Sequence, residues 1–140
     1  MFDDARRMLL RNARRIAILG AKDKAGQPVD RVGRYLLAAG YQVYPVHPVR
    51  RKVWGLPAWP DCAALPQPVD IIVLFRAPAY CAAHAAEVLA LPWRPAAFWM
   101  QQGIRSPEAG GLLAGRGIAV IEDACIMTEH IRLLGGDNLP

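Results

Sequence analysis

The sequence predicts an α/β domain with a doubly wound, parallel five-stranded sheet, helices on both faces, and one further helix at the N-terminus. Three observations predict it. Between Arg15 and Leu134 the apolar pattern switches repeatedly between a period of two and a period of 3.6, giving the order βαβαβαβα. Val69–Phe75 is almost continuously β-branched or apolar, as expected of a strand covered on both faces. A glycine-bounded loop, Gly20 to Pro28, joins the first strand to the helix after it. Right-handed crossovers between successive strands then generate the doubly wound sheet.

Each element follows from local chemistry. Phe2 to Asn12, with Met8, Leu9 and Leu10 among its arginines, reads as an amphipathic helix laid on the domain with its arginines solvated, so that residues 1–14 stand apart from a domain at 15–134. Arg15–Leu19 is the first strand. Val29, Val32, Leu36 and Leu37 recur at helical spacing; Gly33 is expected to let this helix approach the sheet closely, and Gly40 to stop it. Tyr41–Val46 is the second strand, with Pro45 near its end or beside irregular structure. The proline- and tryptophan-rich connection 47–68 has room for a short turn or extended piece at Val53-Trp54-Gly55 and one helical turn over Asp61–Leu65. After Val69–Phe75 come a helix over Pro78–Leu91, begun by one proline and ended by Pro92, and a strand over Ala96–Gln101. A short helix over Pro107–Gly115, a strand over Gly117–Ile121 and a helix over Ile126–Leu134 complete the domain. Gly135–Pro140 reads as a loose tail.

Composition narrows the function. A chain of 140 residues that is 54% apolar fits one core. No apolar run approaches the ~20 residues of a membrane helix, and Met1-Phe2-Asp3-Asp4 lacks the order of a signal peptide, so a cytoplasmic protein without membrane partners is expected. Cys62, Cys81 and Cys125 are too few and too scattered for a disulfide framework or a metal pair, and His47, His84 and His130 fall on different elements. The net charge of +5 raises the question of nucleic acid, but Arg6, Arg7, Arg11, Arg14 and Arg15 concentrate in one leading segment without interleaved aromatics. No nucleic-acid partner is expected. Ser106 is the only serine and Thr128 the only threonine; Arg105-Ser106-Pro107-Glu108 reads as a helix cap, which leaves no serine for hydrolase chemistry. No catalytic residue is assigned. Cys125 opens the last helix, where a thiol pKa is lowered, with Glu129 on the same face and His130 turned away.

In such a sheet, ligands bind beyond the carboxyl ends of the strands, where the strand order reverses. The segments there are Gly20-Ala21-Lys22, Val46-His47-Pro48, Phe75-Arg76-Ala77-Pro78, Gln101-Gln102-Gly103-Ile104-Arg105 and Glu122-Asp123-Ala124-Cys125. The loop from Gly20 through Lys22, Asp23 and Lys24 leads into a helix N-terminus, an expected phosphate site, although neither G-x-G-x-x-G nor a P-loop is present. After the second strand a dinucleotide-binding domain selective for NAD carries Asp or Glu. This chain has His47 followed by Arg50, Arg51 and Lys52, suited to a phosphorylated ribose such as NADP or coenzyme A carries.

Ile16-Ala17-Ile18-Leu19-Gly20, Gly40–Pro48, Pro68–Ile72, Phe75-Arg76, Gln102–Arg105 and Asp123–Ile126 with Glu129-His130, in this order and spacing, resemble the small single-domain CoA-binding proteins. These are Rossmann-like and related to the CoA-binding domain of the succinyl-CoA synthetase α subunit. The resemblance implies CoA or acyl-CoA across the strand ends, with pyrophosphate at Gly20–Lys24 and adenosine near His47-Pro48, Lys52 and Phe75-Arg76-Pro78. It extends the candidate site to Gln102, Gly103, Ile104 and Cys125. This chain has Ala21 or Lys22 where the family usually has serine, His47 where it has asparagine, and Met127 where it has lysine. Alternatives are an NADP-type oxidoreductase and, beside the resemblance, a component of an acyl-CoA ligase that needs a partner chain or a regulatory domain that has lost its nucleotide. A partner protein or homo-oligomer is compatible with each.

Overall fold

A computed structural model describes residues 2–135. The tail expected over Gly135–Pro140 lies outside the described residues beyond Gly135. The chain runs α1 (Asp3–Asn12), β1 (Arg15–Leu19), α2 (Pro28–Ala38), β2 (Gln42–Val46), β3 (Lys52–Val53), β4 (Leu56–Pro57), a 3-10 turn (Cys62–Ala64), β5 (Ile71–Leu74), α3 (Pro78–Leu89), β6 (Ala97–Met100), α4 (Pro107–Leu113), β7 (Ala119–Ile121) and α5 (Ile126–Leu134). The order in the main sheet is β2-β1-β5-β6-β7, and all its pairs are parallel. The Rossmann-like α/β architecture and the N-terminal helix are as the sequence predicts.

β5 holds the centre because it can be buried on both sides: Ile71, Ile72, Val73 and Leu74 are fully enclosed. Successive side chains point to opposite faces, so Ile71 and Val73 join a core with α1, α2 and α5, whereas Ile72 and Leu74 join one with α3 and α4. Each such side chain stabilises the fold by roughly 1.5–3 kcal/mol. Pro45 is tolerated because β2 is an edge strand, and the outer side of its end is covered by Trp59, whose N–H donates to the Pro45 carbonyl. The short turn or extended piece expected at Val53-Trp54-Gly55 is part of a two-stranded hairpin, with Trp54 and Gly55 both at positive φ in its turn. The helical turn expected over 61–65 is capped by Asp61, whose carboxylate accepts from the Ala64 N–H.

Two expectations need correction. Gly33 does not serve helix-to-sheet approach: a Cβ there would lie 2.2 Å from the Trp54 ring, so the glycine makes a slot for that indole. The α1 arginines are not all solvated. Arg6 donates to the Glu129 carboxylate and lies over the Trp99 ring, and Arg7 donates to the Leu133 carbonyl. Amphipathic periodicity marks α1's apolar stripe but not the acidic residue across from it on α5. Among the described residues no helix is long and apolar enough to cross a membrane, and no His, Cys, Asp and Glu side chains group to hold a metal.

Candidate functional site

Strand order reverses between β1, which continues to β2, and β5, which continues to β6 and β7. The loops leaving β1 and β5 diverge there and open a cleft of about 440 Å3, lined by Gly20, Lys22, Gln27, Pro28, Val29, His47, Phe75, Arg76, Ala77 and Ile104. A second lobe of about 340 Å3 shares Pro28, Phe75 and Ile104 with the first and runs on to Gln101, Gln102, Cys125 and Met127. The two form one channel across the strand ends.

Gly20 is fixed by its surroundings. It has φ +84°, and a Cβ would lie 2.3 Å from the Phe75 carbonyl oxygen, so only glycine lets the two diverging loops touch. The Gly20 and Ala21 N–H groups both donate to the Val46 carbonyl, and the Ala21 side chain is buried in the core. These two residues therefore shape the loop from behind. The N–H groups of Lys22, Asp23, Lys24, Ala25, Gly26 and Val29 have no partner among the described residues. Together with the start of α2, whose first residue is Pro28, they form a strip of free donors at the positive end of a helix dipole. Asp23 turns away from this strip: its carboxylate accepts from Arg50 Nη1 at 3.0 Å and from the Trp54 N–H at 3.2 Å, tying the loop to the hairpin.

His47 does the work of a side-chain carbonyl. Its Nδ1 accepts from the Val49 and Arg50 N–H groups, each at 3.0 Å, which closes the turn after β2 and assigns the proton of the neutral ring to Nε2. Burial, with the positive charges of Arg50, Lys22 and Arg76, holds the imidazolium pKa below its ordinary value. Arg76 stacks on Tyr80 with its guanidinium 4.4 Å from the ring centroid. Lys22, His47 and Arg76 thus put two cations and a neutral ring around the free donors, with no carboxylate lining that lobe. Pro48, Arg51 and Lys52 are exposed beside it, Pro78 opens α3 at its edge, and Lys24 is exposed on the loop.

The far lobe is built by the ends of β6 and β7. The Asp123 carboxylate accepts from the Gly103 N–H at 2.6 Å and from Arg105 at 2.8 Å, which joins the two loops and holds that carboxyl below the usual range. Buried Gln101 accepts from the Ile126 N–H through Oε1 and so anchors the start of α5. Cys125 occupies the N-cap position and is partly exposed to the lobe, whereas Cys62 and Cys81 are buried. Burial works to raise the Cys125 thiol; hydrogen bonding to Thr128, Met127 and Gln101 outweighs it, and the pKa falls below its ordinary value. Glu129 and His130 lie away from the channel: Glu129 binds Arg6 and Arg132, and His130 Nδ1 is 2.6 Å from the Tyr35 hydroxyl. Gln27, Pro28 and Ala77 lie within segments the sequence marked but were not among its candidate site residues, and it missed Val29, Arg31 and Val32 as lining residues. Helix spacing had marked Val29 as core, which it also is.

The model of the family described as CoA binding domain matches residues 14–131. The chain is 31% identical over 122 residues to the uncharacterized protein YneT of Bacillus subtilis (strain 168), covering 87% of this chain and 89% of that one. Among solved structures, it is similar to the cell-free ID.343 protein of Thermus thermophilus at 42% identity and TM-score 0.89, covering 95% and 99% of the two chains. It is also similar to a hypothetical protein from Pyrococcus horikoshii OT3 at 29% identity and TM-score 0.91, covering 96% and 94%. The chain belongs to the CoA-binding domain family.

Proposed function

We propose that this member of the CoA-binding domain family binds coenzyme A or an acyl-CoA in the two-lobed channel. The pyrophosphate meets the free N–H groups of Lys22–Gly26 and Val29, with Lys22 and Arg76 supplying charge. The adenosine end lies toward His47-Pro48 and Phe75-Arg76, and the phosphate on its ribose faces Arg50, Arg51 and Lys52. The pantetheine arm follows the far lobe past Ile104 and Gln102 toward Cys125. One observation carries the reading: a strip of unpartnered amides and cations without a carboxylate sits where the strand order reverses, in a lobe that continues into a second one through Pro28, Phe75 and Ile104. A cytoplasmic setting agrees with three unpaired cysteines.

Thermal-shift titration with CoA, dephospho-CoA, NADP and ATP tests it. Ligand at ~100 times its dissociation constant adds roughly 2.7 kcal/mol and raises Tm by a few degrees in a domain of this size. CoA is expected to stabilise the protein most, ahead of dephospho-CoA. A larger shift with NADP than with CoA contradicts the assignment of the far lobe to pantetheine, and no shift with any of the four contradicts the reading as a whole.

A further inference from the structure

Five buried side-chain N or O atoms lack a hydrogen-bond partner among the described residues, and three of them (Arg76 Nε, His84 Nε2 and Glu87 Oε1) belong to residues lining one small cavity of about 100 Å3. Unpaired buried polar atoms are costly and rare, so their gathering around one cavity points to an occupant that pairs with Arg76 and Glu87. His84 Nδ1 lies 3.8 Å from Glu87 Oε1, too far to satisfy it. The cavity shares Gly20 and Arg76 with the phosphate lobe of the channel, is walled by Val46 and Pro48 at the end of β2, and lies on the α3 side of the sheet.

The occupant must meet two demands at once. It must accept from Arg76 Nε, which only donates, and donate to Glu87 Oε1, which only accepts when ionised. His84 beside it, together with the thiol and N–H of Cys62, holds the Glu87 carboxyl below the usual range against the effect of burial, so it is charged at neutral pH. A 6-aminopurine presents an amino donor beside ring-nitrogen acceptors on one edge, and its flat apolar faces suit Val46 and Pro48. A 6-oxopurine turns an acceptor toward the carboxylate instead. We propose that this cavity reads the base of the bound nucleotide, with Glu87 and Arg76 selecting the amino-substituted edge of adenine. The inference rests on the CoA reading and adds to it the side chains on α3 that choose the base.

Calorimetric titration of CoA and of its deaminated analogue, in which hypoxanthine replaces adenine, tests it on the wild-type protein and on Glu87→Gln. The wild type is expected to bind the analogue roughly tenfold to a hundredfold more weakly, the effect of one lost hydrogen bond to a charged group. The glutamine amide can donate to the oxo group, so Glu87→Gln should narrow the gap. Equal binding of CoA and the analogue by the wild type overturns the base subsite and leaves the CoA reading standing. A gap that Glu87→Gln does not alter overturns the role of Glu87. Binding of neither compound overturns the CoA reading and this inference with it.

Discussion

His130 is a fully buried histidine whose side chain has one hydrogen-bond partner among the described residues, the Tyr35 hydroxyl; among them its Nε2 is enclosed without a partner, and burial depresses its pKa. The folded protein therefore resists protonating it, while the unfolded chain takes up the proton near pH 6.5. The sign follows from linkage: the contribution to stability is complete above pH 6.5 and declines as pH falls toward the depressed folded value. His47 shifts in the same direction and shares the window. Glu129, Asp123, Asp3 and Glu87, all lowered, lose their contributions only at more acid pH. Urea unfolding of wild type and His130→Phe between pH 5 and 7 is expected to show a shallower fall in stability for the variant, with the remainder due to His47. Parallel curves contradict the account. Such details were hidden in the sequence. The sequence showed His130 as turned away from Cys125 and as part of the family resemblance but not as a buried partner of Tyr35, which lies 95 positions earlier on another helix.

Among the elements, α1 depends on others for its place. Glu129 accepts from Arg6 and Arg132, Arg132 also binds Asp3, Arg7 donates to the Leu133 carbonyl, and the Tyr41 hydroxyl donates to the Leu10 carbonyl. Glu129 is nearly buried, so this network is shielded from water more than an ordinary surface pair. Glu129→Gln removes the charge that two guanidinium groups share and is expected to cost about 1.5–3 kcal/mol, measured by urea unfolding, with faster amide exchange in α1 than elsewhere. A loss below about 0.5 kcal/mol would place the pair among surface bridges of little effect. The sequence revealed α1 through its apolar stripe and charge clustering, yet gave no sign that Arg6 is held by α5. The same asymmetry applies to the hairpin. A short turn or extended piece was legible at Val53-Trp54-Gly55, but not the paired strands Lys52–Val53 and Leu56–Pro57; the slot that Gly33 makes for Trp54, and the Trp54 indole donating to Asp30 at 2.9 Å, depend on a contact between separate elements.

At the scale of the whole molecule, the fold was legible because each strand and helix carries its own periodicity and β5 declares its central place by being apolar on both sides. Parallel pairing and right-handed crossovers then leave few windings open. The ends of the strands were equally legible, since glycine, proline and charge mark them. What the sequence could not divide was the labour within them: Gly20 and Ala21 spend their N–H groups on Val46, and the free donors start only at Lys22. Nor could it bring His84 and Glu87, spaced as an ordinary helical pair, to a cavity bordering the channel. In the proposed complex the cleft at the reversal of strand order holds CoA with its pyrophosphate on that strip of amides. Backbone amide NMR of the labelled protein during CoA titration tests this most directly. The largest shifts are predicted at Lys22–Gly26 and Val29, followed by His47–Lys52 and Cys125; saturable shifts confined to another surface, or none at all, would contradict it.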